Sequence, residues 1–248
     1  MSASYARALL SNVCNNLLMP AASIRARVRA EMITEIKTVA RHHLETDGAN
    51  LSLRAVARDM GMVSSALYRY FASRDELLTA LILDAYNALG AAVEAADAAV
   101  SDRAELRRRW LAVAHAIRGW ALERPAEYAL LYGTPVPGYA APRDTIAAAS
   151  RTAVVLIRIL ADGHAAGTMG AQAATPRLVR AVRADLASAR DEISPGLPEE
   201  LLLLGMTGWL QLFGTVSFEL FGQLNNVIDA RAEFFDLQMT LMADLMGI

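Results

Sequence analysis

LSLRAVARDMGMVSSALYRYFASRDELL runs from Leu51 to Leu78. Ser52 can cap a short helix, because its hydroxyl can accept from a first-turn N–H that has no partner inside the helix. Gly61 ends that helix, at the place where a left-handed residue closes the last turn and glycine has no Cβ to resist it. Ser64 can cap a second short helix running through Phe71. Ser73 then opens a long one. Asp75 and Glu76 fall in its first turn, where the helix dipole favours them, and Leu77, Leu78, Leu81, Ile82, Ala85 and Leu89 share a face. Two short helices separated by a glycine turn have the geometry of a helix-turn-helix. Val56, Ala57, Met62, Leu67 and Phe71 can form its small core. The second short helix would enter a major groove about 12 Å wide, its N-terminal residues leading. Its outward side offers Ser64, Ser65, Tyr68, Arg69 and Tyr70, groups that bond phosphates and base edges, while Ala66 can touch a thymine methyl. Ser52, Arg54 and Arg74, at the starts of the flanking helices, complete the candidate DNA-contacting set.

The rest of the chain also reads as helices. Val28, Met32, Ile33, Ile36, Val39, Ala40, His43 and Leu44 follow a helical stripe, predicting a helix from Ser23 to Thr46 that Asp47-Gly48 stops. Arg25, Arg27 and Arg29 precede the stripe and face either a groove or water. Further helices are expected over Asp102–Glu123, Ala126–Tyr132, Arg143–Ala165, Pro176–Arg190, Glu199–Leu224 and Asp229–Met246. Gly133 to Gly138, Gly167 to Thr175 and Ser194 to Pro198 mark the loops between them. About one residue in five is Ala, and the 24 basic residues comprise 23 Arg and one Lys, so strong helix formers dominate. Residues 1–75 carry 10 basic and 6 acidic side chains, a net of +4, whereas 76–248 carry 14 and 20, a net of -6. A basic end on an acidic body suits a nucleic-acid-binding piece joined to something else.

Several classes drop out. One cysteine, Cys14, excludes an intrachain disulfide framework and a Cys-based zinc site. The four histidines share no metal-ligand spacing with carboxylates and read as structural. No Ser/His/Asp order, glycine-rich phosphate loop or paired-carboxylate motif stands out, so neither catalysis nor a cofactor or metal is expected. Ala8 to Ile24 is uncharged but interrupted by Asn12, Asn15 and Asn16, which makes a poor signal peptide. Leu201 to Phe218 is uncharged over 18 residues, the low end of a membrane span. It holds Thr207, Gln211, Thr215 and Ser217 and lacks a basic flank, so a core or subunit-interface helix is the favoured reading. A membrane-associated protein anchored by 201–218 is the alternative.

The run from Gly61 to Leu78 closely resembles the signature of TetR-family transcriptional regulators, roughly G-V-S-x-x-T/A-L-Y-x-Y/H-F-x-S-K-E-E-L. The likeness covers about residues 24–90. Met62 stands where Val is usual, Val63 where Ser is usual, and Arg74 keeps the charge of the usual Lys. The C-terminal part is similar to the subgroup named for a Trp-His-Gly motif, through Arg124 to Gly133 and Gly208 to Leu220. Leu212-Phe213-Gly214 occupies the motif's place, so the histidine is absent. The resemblance implies an all-α fold: an N-terminal three-helix helix-turn-helix DNA-binding domain and a larger helical ligand-binding and dimerisation domain.

The expected division is an extension over 1–22, a DNA-binding domain over 23–75 and a helical body over 76–248. The expected function is a cytoplasmic, ligand-responsive repressor, not an enzyme. It would be a homodimer, paired through its last two helices, on a double-stranded palindromic DNA operator, and the long helix beginning near Arg74 would act as lever. Burial of Leu204, Trp209, Leu212 and Val216 with Phe234, Leu237, Leu241 and Leu245 is expected at the dimer seam. Trp110, Tyr128, Tyr132, Met206, Trp209 and Phe213 are the candidate lining of a pocket for a hydrophobic small-molecule effector, because few charges fall among them.

Overall fold

The structure, a computed structural model, describes residues 21–48, 51–170, 172, 175 and 177–248. The expected extension falls outside the described residues except for Ala21 and Ala22, and Cys14 and Pro176 also fall outside. Among the described residues there are ten helices and no strand. The chain divides into two compact units, one ending at Leu78 and the other running from Thr79 to Ile248.

The first unit contains α1 (Ala21–Asp47), α2 (Leu53–Asp59), α3 (Ser64–Leu67) and the opening turn of α4 (Arg74–Ala99). Its core is small: Ile36, Ala40 and Leu44 from α1 meet Val56, Ala57, Leu67 and Phe71, all buried. Met62, expected in that core, is only half-buried. Ser52 caps α2 by accepting from the Ala55 N–H at 3.5 Å. Gly61 takes φ +66°, and the Met62 and Gly61 N–H groups donate to the Ala57 and Arg58 carbonyls at 2.8 and 2.9 Å. Those two bonds close a Schellman end that a side chain at 61 would strain. Ser64 does not cap α3. It is the first helical residue, and Val63 holds the cap position without a side-chain bond. The helix also stops four residues earlier than expected, at Leu67. From there Arg69 and Tyr70 donate to Ala66 and Leu67 in tighter, three-residue bonds. Ser73 caps α4 through the Glu76 N–H at 3.1 Å, and the Glu76 carboxylate returns to accept from the Ala72 N–H at 2.6 Å. This is a capping box displaced by one residue.

The second unit contains the remainder of α4 with α5 (Leu106–Glu123), α6 (Pro125–Tyr132), α7 (Thr145–Ala166), α8 (Arg180–Ile193), α9 (Glu199–Leu220) and α10 (Arg231–Met246). α5 packs against α7, α9 and α10. Its stripe of Trp110, Val113, Ile117 and Ala121 is buried as the periodicity predicts, and the Trp110 indole donates to the Met239 carbonyl at 2.8 Å. Four helix starts without a side-chain cap lie later than expected, α5 at Leu106, α7 at Thr145, α8 at Arg180 and α10 at Arg231, whereas α9 starts at Glu199 as expected. α9 ends at Leu220, and Gly222 and Asn226 beyond it have positive φ.

The body is less free of buried charge than its sequence suggests. Arg109 of α5 is fully buried. Its Nε donates to Asp97 Oδ1 at 2.8 Å, and its Nη1 pairs with Asp162 at 2.8 Å. Arg103 also pairs with Asp97. Burial alone would raise the Asp97 carboxyl, but the hydrogen bonds from Arg109 and Arg103 outweigh it and hold that group below the usual range. Arg118 and Glu219 form a bidentate pair at 2.8 and 2.6 Å that joins α5 to α9.

α4 and α9 are both long and apolar enough to cross a membrane. In α9 one side is packed into the core by Leu201, Leu202, Leu212, Phe213 and Val216.

Candidate DNA-reading face and effector cavity

In the first unit the buried residues are those that close the helix-turn-helix core, which leaves the polar side chains between them outward. Ser52, Arg54, Ser65, Tyr68 and Arg69 are exposed, whereas Ser64, Ala66 and Tyr70 are half-buried. Three arginine or aromatic contacts hold this segment. Arg29 of α1 donates through Nη1 to the Arg69 carbonyl at 3.1 Å and lies 5.1 Å from the centroid of the Tyr70 ring. Arg74 donates through Nε to the Leu51 carbonyl at 3.0 Å. Arg74 and Tyr70 therefore act within the protein as braces, and their exposure to a partner is smaller than that of Tyr68 and Arg69. His43, buried in α1, meets Asp59 at the end of α2 at 2.8 Å. The hydrogen bond from Arg58, and after it the one from His43, hold the Asp59 carboxyl below the usual range. Periodicity could not reveal the Arg29 brace, because its partners lie forty residues away.

The six residues expected to line one pocket separate into two groups. Trp110, Met206 and Trp209 line a largely enclosed apolar cavity of about 180 Å3. Its other walls come from α7, α8, α9 and α10, among them Leu156, Leu160, Ile193, Gly205 and Met246. The sequence predicts only a helix over Arg143–Ala165 and singles out none of its residues, because a wall and a core look alike in hydrophobic periodicity. A Cβ at Gly205 would stand 2.5 Å from Leu160 Cδ1, so glycine permits the approach of α9 to α7 there. Tyr128, Tyr132 and Phe213 lie outside this cavity's lining and form an adjoining aromatic cluster instead. Tyr132 is 5.0 Å from Tyr128 and 4.6 Å from Phe213 between ring centroids. Tyr128 is fully buried, donates to the Phe213 carbonyl at 3.1 Å and shares a 2.8 Å bond with the Ser217 hydroxyl. Among the described residues no group of His, Cys, Asp and Glu is arranged to hold a metal ion.

Residues 37–81 match the bacterial regulatory proteins of the tetR family, and residues 110–242 match the tetracyclin repressor-like C-terminal domain. The second match encloses the uncharged run at 201–218, which disfavours the membrane-anchor alternative. The HTH-type transcriptional regulator Rv1816 of Mycobacterium tuberculosis is 36% identical over 231 residues, covering 90% of this chain and 95% of the relative. The Mycobacterium bovis regulator Mb1846 matches to the same extent. The solved structure of the regulatory protein SCO4313 is 36% identical, with a TM-score of 0.71 over 90% of this chain and 98% of that one. PfmR, a TetR-family regulator from Thermus thermophilus, shares the fold at 22% identity, with a TM-score of 0.53 over 83% of this chain and 97% of that one. With a helix-turn-helix unit, an all-helical body and relatives matched over nearly their whole length, the chain belongs to the TetR family of DNA-binding transcriptional regulators and is not an enzyme.

Proposed function

We propose that this regulator is a cytoplasmic, dimeric repressor that binds a palindromic operator and is released by a hydrophobic small molecule. The observation that carries the reading is the pairing, in one chain, of an exposed hydroxyl and guanidinium face on the helix-turn-helix with an enclosed, uncharged cavity in the body. Ser65, Tyr68 and Arg69 are the principal readers, with Ser52, Arg54, Ser64 and Ala66 beside them. Arg74 and Tyr70 contribute by holding the segment. Two such readers related by a two-fold axis fit successive major grooves about 34 Å apart. The effector shifts the equilibrium by binding better to a conformation whose reader spacing misses the operator.

The dimer reading through α9 and α10 keeps its helices but changes its residues. Leu212 and Val216 are fully covered by their own chain and cannot form the seam. Leu237 and Leu241 of α10, already expected there, are exposed, and of the large exposed apolar groups of α9, Met206, Leu210 and Phe218, the last two take the place of the covered pair.

The test begins by selecting bound sequences from a random DNA pool. Tyr68→Ala and Arg69→Ala should each weaken binding to the selected site while leaving the melting transition intact. Arg69→Ala should also flatten the salt dependence by a slope of about one. Unchanged affinity in both variants refutes the reading face. Failure of every uncharged apolar compound in a screen to release the DNA refutes the effector.

A further inference from the structure

The enclosed cavity is small for its proposed purpose. Small-molecule sites generally hold about 300–1,000 Å3, and this one holds about 180 Å3, which suits a short chain or a single ring. The second unit has another space nearby: an open cleft of about 580 Å3 lined by Ile82 and Tyr86 of α4, Leu131 of α6, the loop through Tyr139, and Thr145 of α7. Tyr139 is tied across this cleft to α4 by a 2.9 Å bond between its hydroxyl and that of Thr79.

A column of rings joins the two spaces. Trp209 lines the enclosed cavity and lies 5.6 Å from Phe213 between ring centroids. Phe213 lies 4.6 Å from Tyr132, and Tyr132 meets Tyr86 edge-on at 6.3 Å. Tyr86 is part of the cleft wall. Neither lining includes a charged side chain among the described residues. The column also holds unused polar capacity. Tyr128 beside it is bonded twice, but the hydroxyls of Tyr132 and Tyr86 have no hydrogen-bond partner among the described residues. Burial pushes both phenols up, so each remains protonated and able to donate.

We propose that cavity and cleft are two compartments of one binding site, partitioned by Phe213 and Tyr132, for an elongated uncharged molecule with an apolar tail and a hydrogen-bond-accepting end. The tail lies against Trp110, Met206 and Trp209. The acceptor, a carbonyl or ether oxygen, takes the hydrogen bonds that Tyr132 and Tyr86 have free. A carboxylate head is disfavoured because neither lining offers a cation to pair with it, and entering the site strips part of its water. Uniting the compartments requires the Phe213 and Tyr132 rings, which stand between them, to turn about their side-chain bonds. This inference rests on the effector reading above and names the class of molecule that reading requires.

The experiment is a tryptophan-fluorescence titration of the full-length chain with 2-undecanone, undecanoate and toluene. The ketone spans both compartments, the acid has the same chain with a charged head, and toluene fits the enclosed cavity alone. The ketone should bind at least about tenfold more tightly than the acid. Tyr132→Phe and Tyr86→Phe, which remove a hydroxyl each and keep the ring, should weaken the ketone about three- to tenfold and leave toluene unchanged. Ketone binding that both variants leave intact overturns the two-compartment site, as does undecanoate binding as well as the ketone, or the absence of binding by ketone and toluene alike. Operator release is measured separately on the same samples. Hydroxyl-dependent ketone binding without any release of DNA upholds the site and overturns the effector reading instead.

Discussion

In the helix-turn-helix unit two arginines, Arg29 and Arg74, reach across to backbone carbonyls, and the carboxylates beside Arg27, Arg58 and Arg74 are exposed ones, Glu31, Asp59 and Asp75. Arg74 reaches the Leu51 carbonyl, and Arg29 reaches the Arg69 carbonyl with its guanidinium over Tyr70. In the body two arginines go inside and meet carboxylates: Arg109 with Asp97 and Asp162, and Arg118 with Glu219. The difference follows from where each unit can bury apolar surface. A small unit that must keep its polar side chains outward fixes its loops with charge-assisted bonds to carbonyls, which need little desolvation. A large body can enclose an ion pair, but each enclosed charge then depends on its partner. Arg29 and Arg74 are therefore replaceable braces, whereas Arg109 and Arg118 are obligatory partners.

The contrast is tested most severely by Arg118→Leu. It leaves the Glu219 carboxylate buried without its cation and should cost about 3–5 kcal/mol of stability. Arg118→Leu with Glu219→Leu should recover most of that loss. Urea unfolding of both variants measures it, and a single-variant loss below about 1 kcal/mol would remove the distinction between the units. Next in size is Arg74→Met, which deletes the charge-assisted bond to the Leu51 carbonyl together with a 3.8 Å surface pair to Asp75, and keeps most of the apolar stem. The expected loss is about 1.5 kcal/mol, concentrated in hydrogen-exchange protection of residues 51–78. Equal loss of protection throughout the body would show that Arg74 is not a local brace.

The smallest effect is the pH dependence contributed by Asp59. Its folded carboxyl lies below its ordinary value of 3.8. Its favourable interaction is thus fully present above that value and disappears as pH falls through the lower, folded one. The difference in melting temperature between the wild type and Asp59→Asn should hold from about pH 7 to 5 and shrink below about pH 4. A difference that grows on acidification would assign the wrong sign to the interaction.

What the sequence discloses here depends on distance along the chain. Ser52 and Ser73 cap helices through bonds to residues three positions on, and those helix starts are legible. Val63, Glu105 and Val179 occupy cap positions without a side-chain bond, and there the expected starts fall on the wrong residue or too early. The stripe Trp110–Val113–Ile117–Ala121 declares a buried side of α5, because 3.6-residue periodicity is local information. It does not disclose that Arg118 meets a carboxylate 101 residues later, or that Arg109, written among Arg107 and Arg108, is the one that turns inward. The cavity shows the same limit. Trp110, Met206 and Trp209 stand out as large groups among small ones, but the wall supplied by Leu156 and Leu160 is indistinguishable from ordinary core until α7 and α9 are brought together.

Gly205 gives that approach a consequence over evolutionary time. An alanine there would place its methyl carbon 2.5 Å from the end of Leu160, so the leucine must turn, and Leu160 is itself part of the cavity wall. A glycine codon becomes an alanine codon by one base change. Under the effector reading, duplicated genes for such a regulator can diverge in the compound they detect by a single mutation, while each copy continues to recognise its ancestral stretch of chromosome.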